Sequence, residues 1–88
     1  MFRISKSTLD ETVTFKFEGT LRGDWVQEAD RVCHNAAGKT NRTLLDLSEL
    51  SFVDGAGVGL LRGLIKRGAE ISACSSFVSE VLQKELRP

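Results

Sequence analysis

The sequence predicts a single α/β domain: a mixed sheet that opens with an antiparallel pair of strands, continues in βαβαβ-type units, and carries its helices mainly on one face. Three observations carry this expectation. Apolar residues alternate with period two at Phe2 and Ile4 and again at Val13, Phe15 and Phe17, as in strands with one buried face. From Trp25 the apolar spacing changes to three and four residues, the period of an amphipathic helix. From Leu44 onward, strand-like and helix-like patterns follow one another in turn, and strands separated by helices pair in parallel through right-handed crossovers.

The first two strands are "FRIS" and "TVTFKFE", joined by the polar segment from Lys6 to Glu11, which is short enough for a hairpin. After "GTLRG", residues Trp25, Val26, Ala29, Val32, Cys33, Ala36 and Ala37 form one apolar stripe. Asp24 and Gln27 read as an N-cap with its capping-box partner, Gly38 as the C′ glycine, and Trp25 as the core anchor of this helix. "TLLDLSEL" then suits a central strand covered on both faces, with Asp46 turning to the strand end or finding a donor. A loop from Glu49 to Val53 leads to Asp54, which caps a second helix running to about Arg67, with Gly68 ending it. "AEISAC" is a short strand, and Ser76 starts a third helix carrying Val78, Val81, Leu82 and Leu86.

The 88 residues, 41% hydrophobic and 27% charged, supply one core and no more. A domain this small buries only about 60 to 65% of its unfolded surface, which disfavours a self-contained enzyme with a deep pocket and favours reliance on a partner. Twelve basic and twelve acidic side chains cancel, so no overall field draws the chain to nucleic acid or anionic lipid. Neither a signal peptide nor a membrane-inserting segment is recognisable, and a cytoplasmic location is the default expectation. Cys33 and Cys74 lack CxxC spacing and read as small buried hydrophobes. The single histidine, His34, has no second ligand at metal-site spacing, so no metal or cofactor is expected.

"SFVDGAGVGLLRG" stands out because each glycine inside a helix costs roughly 0.5 to 1 kcal/mol relative to alanine. At about 100° per residue, Gly57, Val58, Leu60, Leu61, Leu64 and Ile65 gather on the core side. Gly55, Ala56, Gly59, Arg62, Gly63 and Lys66 gather on the other. Gly55, Gly59 and Gly63 thus form a bare ridge flanked by two cations. Either another segment of this chain, such as the last helix, packs over the ridge, or the ridge is a docking face for another protein, the reading preferred here. Free amides at Gly55, Ala56 and Gly57 also suggest an anion or nucleotide site. Against it, "GAGVGL" lacks the third glycine of GxGxxG, no GxxxxGK[ST] is present, and Asp54 puts negative charge where phosphate would sit. The serines have no histidine at a recognisable catalytic spacing, and no catalytic residues are assigned.

"LLDLSELSFVDGAGVGLLRGL" resembles the core motif of STAS domains, the fold of bacterial anti-sigma factor antagonists and of the cytoplasmic tails of sulfate transporters. "FEGTL" is similar to the end of that family's second strand, and "ISACSSFVSEVLQ" to its last strand and helix. The resemblance implies a non-enzymatic binding role in bacterial signal transduction and transcription regulation. An anti-sigma factor or related GHKL-type kinase would dock on Asp54, Gly55, Ala56, Gly57, Gly59, Arg62, Gly63 and Lys66. In such antagonists a Ser or Thr at the start of this helix is phosphorylated to break the complex, and that position is Ala56 here, preceded by Gly55. Neither residue has a hydroxyl to carry phosphate. The nearest is Ser51, in the preceding segment. Similar short STAS proteins without a phosphoacceptor serve ATP-binding-cassette lipid transporters, which makes a transporter ATPase the alternative partner. Many family members add a strand and a helix beyond the region matching Leu86, so a sheet edge is expected to be open to a partner or to a second copy in a homodimer.

Overall fold

A computed structural model describes residues 2–36 and 42–86. Strand β1 (Phe2–Leu9), β2 (Thr12–Leu21), helix α1 (Asp24–Ala36), β3 (Arg42–Val53), α2 (Gly55–Lys66), β4 (Glu70–Cys74) and α3 (Ser76–Leu86) follow in chain order. The sheet order is β1-β2-β3-β4, with β1 and β2 antiparallel and the two later pairings parallel. This is the expected α/β arrangement.

Three local expectations change. The first hairpin is tighter than the polar segment from Lys6 to Glu11 implies. β1 runs to Leu9, and the chain reverses at Asp10 and Glu11, both in the left-handed region at φ 50° and 63°. Two positive φ values in a two-residue loop match the right-handed twist of the flanking strands, so the turn forms without Asn-Gly. Second, Glu49–Val53 is not a loop but the last part of β3, pairing with β2 through Val53 opposite Leu21. The signal is blurred because β3 is irregular. Asp46 accepts hydrogen bonds from the Ser48 backbone at 3.1 Å and from its hydroxyl at 2.7 Å. This local turn competes with the ladder and coincides with the register shift between Lys16 and Glu18. Asp46 thereby finds its donor, and those two bonds hold its carboxyl below the usual range.

Third, β3 is central but not covered on both faces. Leu45, Leu47 and Leu50 are fully buried with Phe15, Phe17 and Leu21 of β2, whereas Leu44 and Asp46, pointing the other way, are only half-buried. The core lies between that buried face and the helices: Ala29 and Cys33 from α1, Val58, Leu61 and Leu64 from α2, and Val78 and Leu82 from α3. Leu60 and Ile65, expected in the core, are half-buried at its margin.

The helix ends explain themselves locally. Helix α1 begins at Asp24, with Gly23 at φ 58° before it, so Asp24 is a first-turn acid rather than the cap. Gly38 lies outside the described residues. Helix α2 closes as expected, with Gly68 at φ 103° donating to the Ile65 carbonyl at 3.0 Å. Ser75 caps α3: its hydroxyl accepts from the Val78 amide at 3.4 Å, and its carbonyl accepts from Ser79 at 2.9 Å.

Candidate functional site

The parallel strands β2, β3 and β4 end on the same edge of the sheet, and the chain leaves them at Arg22, Asp54 and Ser75. In open α/β sheets this carboxyl edge is where binding surfaces form. Asp54 organises it. Its Oδ1 accepts from the Gly57 amide at 2.8 Å, capping α2, and its Oδ2 accepts from the Gly23 amide at 3.1 Å, just before α1. Its own amide donates to the Leu21 carbonyl at 3.1 Å. The Asp54 carboxylate therefore ties the starts of both helices together, and its backbone amide ties them to the end of β2. The hydrogen bonds from Gly57 and Gly23 hold its carboxyl below the usual aspartate range.

The four glycines of the motif separate into two kinds. A Cβ on Gly57 would lie 2.5 Å from Val53 Cγ2 and 2.9 Å from the Leu21 carbonyl oxygen, so only glycine lets α2 sit this close to the strand ends. Gly57 is buried, which corrects its assignment to the contact surface: its part is structural. A Cβ on Gly55, Gly59 or Gly63 would meet nothing within 4 Å. The last helix does not cover this ridge.

Beside the ridge runs a groove of about 320 Å³ between α1 and α2. Val26, Ala56, Leu60 and Leu64 give it apolar walls, Gly59 and Gly63 give it bare backbone, and Asp30 and Arg67 also line it. Lys66 is exposed; Arg62 is half-buried, and its Nε is buried without a hydrogen-bond partner. Helix α2 carries no acidic residue, so the charges on its outward side are the cations Arg62 and Lys66.

Ala56 is exposed at the start of α2 and has no hydroxyl, as Gly55 has none. The Ser51 hydroxyl is exposed and donates to the Gly19 carbonyl at 2.9 Å. An anion at the helix start would compete with the Asp54 carboxylate for the Gly57 amide, so the geometry does not favour the anion reading.

Exposed aromatic residues on this edge were not foreseen as surface features. Trp25, expected in the core, is 45% exposed and leans on Phe2 with ring centroids 6.1 Å apart. At the first turn of α1 it packs at the margin of the core, against Phe2 at the start of the edge strand β1. Phe52 and Phe77 stack on each other at 6.1 Å and 24°, both partly exposed. No period marks this pair, because one ring comes from the irregular end of β3 and the other from the first turn of α3.

Both cysteine thiols lie above their ordinary range. Cys33 is buried, and burial, helped by nearby Asp30, pushes its thiol up to about 12. Cys74 is half-buried rather than buried, and its thiol is raised by burial as well. Among the described residues no group of three His, Cys, Asp or Glu could hold a metal ion, and no helix is long and apolar enough to cross a membrane. The His34 side chain lies outside the described residues.

No family model matches the chain, and no curated protein matches it in sequence. Solved structures do. The chain is similar to the anti-sigma factor antagonist SpoIIAA in its unphosphorylated form, with 25% identity and a TM-score of 0.71, over 94% of this chain and 82% of that one. It also shares its fold with the STAS domain of an antisigma-factor antagonist from Rhodobacter sphaeroides, with 18% identity and a TM-score of 0.64, over 83% of this chain and 85% of that one.

Proposed function

We propose that this chain, a STAS domain in fold, is a non-enzymatic protein-binding module of the anti-sigma factor antagonist type. Its docking surface is the start and outward face of α2: Asp54, Gly55, Ala56, Gly59, Arg62, Gly63 and Lys66, with Gly57 holding the helix in place. The observation that carries this reading is the open ridge at Gly55, Gly59 and Gly63, where a Cβ would meet nothing within 4 Å. A helix-exposed glycine has an energetic cost and no packing use within the chain, so its use lies in what approaches from outside. The partner is an anti-sigma factor or a related GHKL-type kinase. The expected location is the cytoplasm of a bacterial cell.

The same surface has no phosphate switch at the start of α2, since Gly55 and Ala56 bear no hydroxyl. The domain resembles an antagonist locked in its binding-competent form. Isothermal titration of a purified GHKL-type anti-sigma kinase with the wild-type chain and with Gly59→Glu tests the docking face. Binding is expected for the wild type and its loss for the variant.

A missing phosphoacceptor also favours a second reading, a permanent subunit of an ATP-binding-cassette transporter. Co-purification with the transporter ATPase at a fixed stoichiometry, unaffected by ATP, supports that reading over a reversible regulator.

A further inference from the structure

We propose that the stacked Phe52–Phe77 pair is a second docking surface, which takes a partner-protein segment carrying an apolar side chain flanked by Arg or Lys. Phe52 and Phe77 are 40% and 45% exposed, yet their rings lie together at 6.1 Å and nearly parallel, which gathers two exposed apolar side chains at one place. Large aromatic residues held at low conformational cost are the residue type that anchors protein interfaces. The backbone on either side is pinned. The hydroxyl of Ser51, next to Phe52, donates to the Gly19 carbonyl at 2.9 Å, and the hydroxyl of Ser75, two residues before Phe77, donates to the Leu50 carbonyl at 2.8 Å.

Charge identifies the occupant. Glu80 lies one helical turn beyond Phe77 on the same side of α3, and Glu49 precedes Phe52 on β3; both are exposed. Neither forms an ion pair among the described residues. The cation in register with Glu49 is Arg3, two strands away, across from Glu18. An aromatic face with an acidic rim attracts a cationic segment and repels an acidic one, and the rings add a cation–π contribution for Arg. Helix α2, by contrast, is cationic on its outward side, so the two surfaces select partners of opposite charge.

The test is a titration of the isotope-labelled chain, followed by amide NMR, with a short synthetic peptide of leucine and arginine and with its leucine–glutamate counterpart. The expected result is shifts confined to residues 49–53 and 76–80 with the arginine peptide alone. Phe52→Ser with Phe77→Ser should weaken that binding at least tenfold. Glu49→Lys with Glu80→Lys, which changes only exposed positions, should do the same without touching the rings and serves if the ring variant fails to fold. Gly59→Glu should leave the peptide binding intact, which separates this surface from the α2 face. Equal binding of both peptides, shifts centred elsewhere, or no binding overturns the proposal. So does self-association of the chain through the rings, which would make a second copy the occupant.

Discussion

The Asp54 carboxylate accepts the Gly23 amide at 3.1 Å across thirty-one residues of sequence, while its other oxygen caps α2 at Gly57. The entry to α1 and the entry to α2 are thus one structural unit. Replacing Asp54 with Ala should loosen both at once. The expected outcome is a melting temperature lower by several degrees, together with faster amide exchange at Gly23 and Gly57. Asp54→Asn keeps an acceptor for Gly57 and should lose less.

The same residue sets an acid limit. Its hydrogen bonds lower the carboxyl pKa in the folded chain relative to the unfolded one. The unfolded state therefore binds the proton more readily, and this contribution to stability is fully present above the ordinary aspartate value of about 3.9. It is lost as pH falls through the lower folded value. Asp46, lowered by its bonds from Ser48, adds in the same direction. Denaturant midpoints measured between pH 6 and pH 3 should fall on the acid side, and Asp54→Asn should flatten part of that fall.

Gly57 and Gly59 should answer opposite ways to alanine. At Gly57 the new Cβ meets Val53 and the Leu21 carbonyl, so overpacking of about 1 to 3 kcal/mol outweighs the gain in helix propensity. At Gly59 nothing lies within 4 Å, and alanine should stabilise by about 0.5 to 1 kcal/mol. Urea denaturation of the two variants reads the contrast directly.

Much of this was legible in the sequence because strong periods mark it. The helical wheel separated Gly57 from Gly55, Gly59 and Gly63, and the Asp54 cap followed from its place before an apolar helix. The Gly23 bond was not legible, since nothing local links residues thirty-one apart. The stripe places Trp25 on the apolar side of α1, but a helical period says which way a residue faces and not how deeply the first turn is buried. The end of β3 was missed because the Asp46–Ser48 turn breaks the alternation on which strand patterns depend. Phe52 and Phe77 come from two elements whose meeting only the fold determines.

On the proposed reading, Ala56→Ser should install a phosphorylation switch at the start of α2, where Gly55 and Ala56 carry no hydroxyl. Phosphate brings a charge of about −1.5 to −2 at pH 7 to an exposed position beside Asp54. With a GHKL-type kinase and ATP, mass spectrometry should find a phosphopeptide spanning residues 55–57 in the variant and none in the wild type. The phosphorylated variant should also lose partner binding.

If α2 docks a partner across its open glycine ridge, Gly59→Glu should block that docking without disturbing the fold. Glutamate is a better helix former than glycine, and its Cβ would meet nothing within 4 Å, so the fold should stay as stable or gain stability. Titrated against a purified GHKL-type anti-sigma kinase, the folded variant is predicted to bind at least tenfold more weakly than the wild type. A folded variant that binds the kinase as tightly as the wild type would rule out docking across this ridge.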